Sequence, residues 1–498
     1  MHLKKKNKFN YCLLPLLGAF TQASADYKTD VGYTQLKNEL GAALADGLGV
    51  KVTQVEASTG TDPANPIFAP DPTVSALSDK EFSYPTLNSI PRTYSSHATG
   101  VALTFYGTNV SMAPAIDDIH SYETNRWLTT LRKSNGQATT TDRRIANHSW
   151  VGKAATAADN GLILRLVDRQ VELNEYIQIV ASGASSPLLS NGYNTMAVGL
   201  SNTATGYTSV NLDSIYQKDR VVTNVVAPAA NLSSATPIVA AAAALLVQTG
   251  HEQPSLSEDA TSLSGVGTIY NAERSETIKA ALLAGAARQT SNTSGYGDIS
   301  DYRSTGHQTE NGLDTRYGAG QLNVYNSYQI ITGGEQNSFE DDATGLSQIG
   351  YAGFDYDANF GGASGSNATA TYSFTAYASE TISASLVWNA GVSNNTAMDT
   401  TIHHLGLSLF DVSDNTVIAK SESMLDNTQN IHWQNLIAGH EYQLLVSSLE
   451  ETNSFNWDYA LAWNRTVNST PVPLPAAFWL FGSALAGLVG YQRKQIAA

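Results

Sequence analysis

The run PIVAAAAALLVQTG (237–250) has no charged side chain and carries Ile, Val, Ala and Leu on every face of a helical period. A helix that is apolar all round has to be covered on all sides, so this one is a core helix. Immediately before it, in ANLSSATP, stand Ser233 and Ser234. A core helix has no use for hydroxyls at its mouth. A helix N-terminus that activates a nucleophile and stabilises an anion does.

Up to about residue 331 the chain alternates short β-branched runs with longer helical ones. VKVTQVEA (50–57), ATGVALTFYG (98–107), RRIANHSW (143–150), YIQIVASGA (176–184), TMAVGLS (195–201) and RVVTNVVAP (220–228) are bounded by polar or glycine breaks and predict strands. DNGLILRLVDRQVEL (159–173) and the run at 237–250 have helical spacing. Strands alternating with helices imply an α/β domain, a parallel sheet with helices on both faces. After about residue 345 the texture becomes period-two alternation with closely spaced turns, as in ATATYSFTAYASETISASLVW and IHWQNLIAGHEYQLLVSS, which predicts an all-β sandwich. The expected organisation is a leader at 1–25, the α/β domain at 26–335, the sandwich at 345–465, a linker at 466–471 and a tail at 472–498.

The two ends predict traffic across a membrane. Lysines at 4, 5, 6 and 8 precede an apolar segment (11–20) and the small-x-small site Ala23-Ser24-Ala25, the pattern of a secretory signal peptide. Cys12, the chain's one cysteine, leaves with that segment, so the mature chain is expected to fold without disulfides and to use neither thiol chemistry nor thiolate metal sites. Residues 474–491 are an apolar stretch about long enough to span a bilayer, closed by Arg493 and Lys494. A formal net charge of -16 repels nucleic acid.

In a parallel α/β domain, active groups sit at the carboxyl ends of strands and at helix N-termini. Glu56 closes a strand, His97 precedes the small-residue run ATGVA, and Ser233 opens the core helix. Their order and surroundings resemble the subtilisin-like (S8) serine peptidases. His97-Ala98-Thr99-Gly100-Val101-Ala102 is similar to that family's His-Gly-Thr-x-Val-Ala motif, with alanine for the first glycine. Ser233-Ser234-Ala235-Thr236-Pro237 is similar to its Ser-x-Ala-x-Pro motif. NVSMAPAI (109–116) stands where the family has a strand after the histidine helix, IANHSWVG (145–152) where it has an Asn-x-Ser-Trp-Gly segment, and TRYGAGQLNVYNSY (315–328) resembles its closing helix. The likeness spans about residues 45–330.

The resemblance implies a serine endopeptidase in which Ser233 attacks a peptide carbonyl, His97 carries the proton and Glu56 orients the imidazole. Aspartate is the family's residue at the Glu56 position, which leaves Asp62 and Asp71 as alternatives. The oxyanion asparagine falls at Ala184, which has no side-chain donor, so Ser185, Asn191 or Asn194 is the candidate to supply one. No cofactor is expected. Asp341, Asp342, Asp411, Asp414 and Asp426 offer oxygen ligands to a structural calcium but are equally turn residues. His148 and the pair His403-His404 read as structural. Trp433 and Trp457 are the exposed aromatics of the sandwich, while Trp388 and Trp463 read as core. Val472-Pro473-Leu474-Pro475, the apolar stretch and the basic end resemble the PEP-CTERM sorting tails cut by exosortases. That resemblance implies a polypeptide substrate, an exosortase-type partner, transient membrane attachment, and a place at the cell surface or outside a Gram-negative bacterium. Two further readings stay open, a catalytically impaired homologue acting as a surface binding or matrix protein, and a hydrolase of esters or small peptides.

Overall fold

The computed structural model describes residues 12–14 (backbone only), 27–183, 185–202, 206–303, 306–341, 348–361, 365, 367–450 and 455–468. Seven parallel strands, β1 (Val52–Glu56), β2 (Glu81–Ser83), β3 (Asp118–Glu123), β4 (Ile145–His148), β5 (Ile177–Ala181), β6 (Met196–Leu200) and β7 (Val225–Ala227), form one sheet in the order β2-β3-β1-β4-β5-β6-β7. Every residue of β1 and β5 is buried, as expected of strands covered on both faces.

On one face lie α1 (Ser96–Tyr106), α3 (Leu232–Glu252), α4 (Ser275–Ala284) and α5 (Val324–Thr332), packed on Val52, Ile119, Ile145 and Ile177. The other face carries α2 (Ala157–Asn174) with Trp127 and Trp150, packed on Val55, Val180 and Ala197. The α/β class read from the sequence is the observed one. Among the described residues α3 is the one helix long and apolar enough to cross a membrane, but 89% of its apolar window is buried. It is the core helix of the domain. The apolar stretch at 474–491 lies outside the described residues.

Two expectations fail here. ATGVALTFYG is a helix, α1, because Ala98, Val101, Ala102 and Phe105 fall on one helical face and all four are fully buried. NVSMAPAI is an irregular turn, and the strand after α1 comes later, as β3. The sequence of β3, DIHSYE, buries only alternate residues and so hides a central strand behind polar ones.

A sandwich of two four-stranded antiparallel sheets follows. Its strands are β8 (Ala352–Phe360), β9 (Thr369–Thr375), β10 (Glu380–Val387), β11 (Leu405–Asp411), β12 (Thr416–Ser421), β13 (Thr428–Leu436), β14 (Glu441–Ser448) and β15 (Trp457–Val467), in the orders β8-β15-β10-β13 and β9-β14-β11-β12. Trp388 and Trp463 are fully buried between the sheets. The sandwich is joined to the α/β domain by buried polar links. Asn389 Nδ2 donates to Glu276 on α4, Asn194 exchanges hydrogen bonds with Ala390, and Asn430 N donates to Asn311 O at 3.0 Å. Trp457, expected to be exposed, is half-buried at this junction, where its indole N–H donates to Asn389 O at 3.0 Å.

Candidate active site

Strand β1 ends in Glu56 under the first turn of α1. Ser95 caps that helix by accepting from Ala98 N at 3.2 Å, which holds His97 at the open end. Glu56 is fully buried and His97 is 8% exposed, and Glu56 Oε2 lies 2.9 Å from His97 Nδ1. Asp62 and Asp71, the alternatives, are engaged elsewhere. Asp62 holds Ala64 N and Asn65, and Asp71 holds the backbone and hydroxyl of Thr73. Burial acts to lower the pKa of His97, but the charge of Glu56 and its hydrogen bond hold the imidazole above its ordinary 6.5.

A residue the sequence reading missed fixes the carboxylate. Gln54, two positions earlier on the same face of β1, donates from Nε2 to Glu56 Oε1 at 2.8 Å and to Ala98 O at 2.9 Å. Its own Oε1 accepts from Tyr106 OH at the far end of α1. The amide therefore ties strand, carboxylate and histidine helix into one unit. A buried Gln inside an apolar strand is the only sequence signal for it.

Ser233 lies in the first turn of α3, capped by Asn231, whose Oδ1 accepts from Ser234 N at 3.0 Å. Pro237 has no N–H to give the carbonyl four residues back, so the Ser233 carbonyl would be left without its helical partner. The Ser149 hydroxyl fills that place at 3.0 Å. In return the Ser233 hydroxyl donates to Ser149 O at 3.1 Å, and Asn147 Nδ2 supports Ser149 Oγ at 3.0 Å. Ser149 thus belongs to the site through Pro237. Its neighbour His148 is structural, as expected. It lies between Trp127 and Trp150, holds Gln178 at 2.6 Å, and burial pushes its pKa down to about 3.

Of the oxyanion candidates, Ala184 lies outside the described residues. Ser185 is exposed, with left-handed backbone at φ 54°. Asn191 is buried and donates from Nδ2 to Val210 O at 3.2 Å. Asn194 is a correction, since both N–H groups of its Nδ2 are taken, by Asp168 O and Ala390 O, each at 3.0 Å. The N-terminus of α3 itself can offer an anion its dipole and first-turn backbone N–H groups, of which Ser234 N is taken by the Asn231 cap.

Along the half-buried face of α1 runs a cavity of about 880 Å³ whose walls include Ser96 and Ser234, the sequence neighbours of His97 and Ser233. The strand Val151–Lys153, which follows Ser149 in the chain, pairs antiparallel with Cys12–Leu14. Among the other expected ligands, Asp411, Asp414 and His440 lie close enough together to share an ion. However, Asp411 is already bound by His440 Nδ1 at 3.0 Å and by Asp414 N at 3.1 Å. Asp341 and Asp426 hold serines of their own turns, Ser338 and Ser423, and Asp342 lies outside the described residues. His403 is paired with Glu450 at 2.8 Å and stacked on Phe455.

No protein-family model and no curated protein matches the chain. Among solved structures the chain is similar to MycP1 from Mycobacterium smegmatis at 14% identity over 64% of this chain and 88% of that one, with a TM-score of 0.33. It is also similar to tripeptidyl peptidase 2, at 11% identity over 74% of this chain and 40% of that one, with a TM-score of 0.29. A smaller match, to the periplasmic g-type lysozyme inhibitor PliG of Aeromonas hydrophila, has 15% identity over 24% of this chain and 91% of that one, with a TM-score of 0.16. Structural neighbours of the chain thus include serine proteases.

Proposed function

We propose that the chain is an exported serine endopeptidase of subtilisin-like type, with Ser233 as nucleophile, His97 as general base and acid, and Glu56 as the group that orients and charges the imidazole. The observation that carries this reading is the buried 2.9 Å pair between Glu56 and His97, at the start of a helix that packs against the helix opened by Ser233. In the reaction Ser233 Oγ turns from the Ser149 carbonyl toward His97, gives up its proton and bonds to the scissile carbonyl carbon. The developing oxyanion meets the α3 N-terminus. His97 then passes the proton to the leaving amine, and water releases the acyl group by the same route.

The paired Cys12–Leu14 segment supports a peptide substrate, since the free edge of Val151–Lys153 takes up an extended chain by strand addition. Export by the leader and surface delivery through an exosortase-cut tail complete the proposal. A second reading, a catalytically impaired surface binding or matrix protein, rests on the full burial of Ser233 and on its hydroxyl being turned to Ser149. Labelling of the full chain with a fluorophosphonate, beside Ser233→Ala and His97→Ala, separates the two. Label on the parent that both substitutions abolish establishes an activated serine. A folded parent that takes no label overturns the peptidase.

A further inference from the structure

We propose that the junction between the two domains is a proton-held latch, in which a neutral carboxyl at Glu276 docks segment 389–392 of the sandwich and loss of its proton releases that segment. It draws on none of Glu56, His97 and Ser233 and stands whether or not the chain is a peptidase. At the start of α4, Ser275 Oγ lies 2.7 Å from Glu175 Oε2 and 2.9 Å from Glu276 Oε2. A hydroxyl has one proton, so it can donate to one of these carboxyl groups and not to both. Glu175 is the one held as an anion, because Arg274 Nη1 donates to its Oε1 at 3.0 Å and Ser275 N to its Oε2 at 2.7 Å. The second contact then takes its proton from Glu276, whose O–H donates to Ser275 Oγ while Ser275 donates on to Glu175. Asn389 Nδ2, from the sandwich, completes the set by donating to the other oxygen of Glu276 and to Ser275 Oγ at 3.3 Å.

The charged groups around Glu276 favour the same state. Glu175, the left-handed cap of α2, and Asp458 on β15 both act on it as negative charges. Tyr356 on β8 gives its hydroxyl to Asp458 Oδ2 at 2.6 Å and carries Arg274 over its ring. Arg274 divides its donors among Glu175, Asn271 and Thr261, and Lys279, one turn along α4, donates to Tyr193 O and Thr195 O, both at 2.9 Å. Neither cation is therefore paired with Glu276, and burial first, then Glu175 and Asp458, hold its pKa well above 4.5. Loss of the proton breaks the O–H bond to Ser275 and leaves a third anion beneath Asn389. The same segment is otherwise held by Ala390 N on Asn194 Oδ1 at 2.7 Å and by Val392 N on Glu172 Oε2 at 3.1 Å. A docked carboxyl that keeps its proton longer than an undocked one makes docking full below 4.5 and weaker as pH rises through the docked value.

Hydrogen exchange of the full chain, followed by mass spectrometry from about pH 5 to 8 with each rate divided by the intrinsic rate at that pH, reads the latch. The amides of Ala390 and Val392 report docking, and those of the paired strands β9 and β14 report the sandwich itself. The expected result is that protection of segment 389–392 falls as pH rises, by up to about tenfold per pH unit, the limit that one proton sets, while β9 and β14 keep theirs. In Glu276→Gln the fall should be absent, since the amide keeps an acceptor for Asn389 and its NH₂ takes the place of the O–H toward Ser275. Asp458→Asn removes one facing charge, keeps an acceptor for Tyr356 and should shrink the fall, which keeps the latch testable if Glu276→Gln does not fold. Protection independent of pH in the parent overturns the latch, as does a fall that persists in Glu276→Gln or is undiminished in Asp458→Asn. A fall shared equally by β9 and β14 is unfolding of the whole sandwich and overturns it as well.

Discussion

Glu56→Gln is the substitution whose consequence the hydrogen-bond geometry fixes most tightly. The wild-type carboxylate accepts from two donors, His97 Nδ1–H on Oε2 at 2.9 Å and Gln54 Nε2 on Oε1 at 2.8 Å. A glutamine at 56 has one acceptor and one NH₂, so one of the two donors must face another donor. Gln54 cannot turn over without pointing its oxygen at Ala98 O and losing the acceptor for Tyr106 OH. His97 therefore yields by moving its proton to Nε2, the nitrogen that has to accept from Ser233. The lost charge-assisted bond is worth about 1.5–3 kcal/mol, and with the wrong tautomer the expected fall in kcat/KM is about 10³–10⁴-fold. The pH profile supplies a second readout. In the wild type the Glu56 charge holds His97 above 6.5, so activity rises with pH as His97 deprotonates above that value. In Glu56→Gln the charge that raises the ring's pKa is gone while burial still lowers it, and the midpoint should move down. Steady-state kinetics on a chromogenic ester from pH 5 to 9 measures both. A midpoint that stays in place, or a loss of less than about tenfold, would refute the assignment of Glu56 as the triad carboxylate.

The linked stability term has the opposite sense. A histidine with a raised folded pKa adds stability that is full below 6.5 and lost as pH rises through the folded pKa, so Glu56→Gln should flatten the wild-type decline in melting temperature over that window. Gln54→Leu leaves the carboxylate but frees its orientation; we expect kcat to fall with KM little changed, and a reverse split would argue against a positioning role. Glu276, buried beside Glu175 and Asp458 at the domain junction, has its pKa raised well above 4.5 by burial first and those charges second, so wild-type stability should fall as pH rises past 4.5. Glu276→Gln should remove part of that slope in thermal melts from pH 4 to 8. Gly312 has φ 76°, and a Cβ there would stand 1.8 Å from Asn430 O. Gly312→Ala should therefore cost at least the roughly 1–2 kcal/mol of left-handed backbone and loosen the sandwich, measured by urea melts. Removal of residues 1–25 frees the Val151–Lys153 edge and should speed fluorophosphonate labelling; an unchanged rate would sink the idea that an extended chain docks there.

What could be read from the sequence was what local chemistry encodes. The core helix declared itself by having no polar face, and Glu56, His97 and Ser233 by standing at a strand end and two helix starts. Gln54 escaped because its role depends on Ala98 and Tyr106, residues on another element that no spacing rule links to it. Asn194 was misread for the converse reason. It stands just before β6, in the stretch that resembles the family's oxyanion segment, but its amide is claimed by Ala390, nearly two hundred residues on, in a second domain. The cavity could not be read at all, since its walls come from residues as far apart as Tyr27 and Tyr296. The strand expected at 98–107 became a helix because a short run of small apolar residues satisfies either period, and only the sheet beneath decides which face is buried.

The coupling of Pro237 to Ser149 bears on whether the serine can act. Because the proline withholds an N–H, Ser149 is drawn to the Ser233 carbonyl, and the Ser233 hydroxyl settles on Ser149 O as the return half of the exchange. That return half is a neutral hydrogen bond, worth about 0.5–1.5 kcal/mol. Turning Ser233 toward His97 therefore costs at most about a tenfold factor in rate, small beside what a triad and an oxyanion site supply. The other half, from Ser149 to the carbonyl, is untouched by the rotation and keeps the first turn of α3 in place. The resting position of the hydroxyl thus weighs little against catalysis, and the choice between enzyme and impaired homologue falls on the oxyanion side. The resemblance to subtilisin-like peptidases sets Ala184 at the place of the oxyanion asparagine, where it would bring no side-chain donor, and loss of one such donor costs about 10²–10³-fold. The proposed peptidase would on these terms label readily, turn over sluggishly on amides and act faster on activated esters, whereas the impaired homologue would take no label.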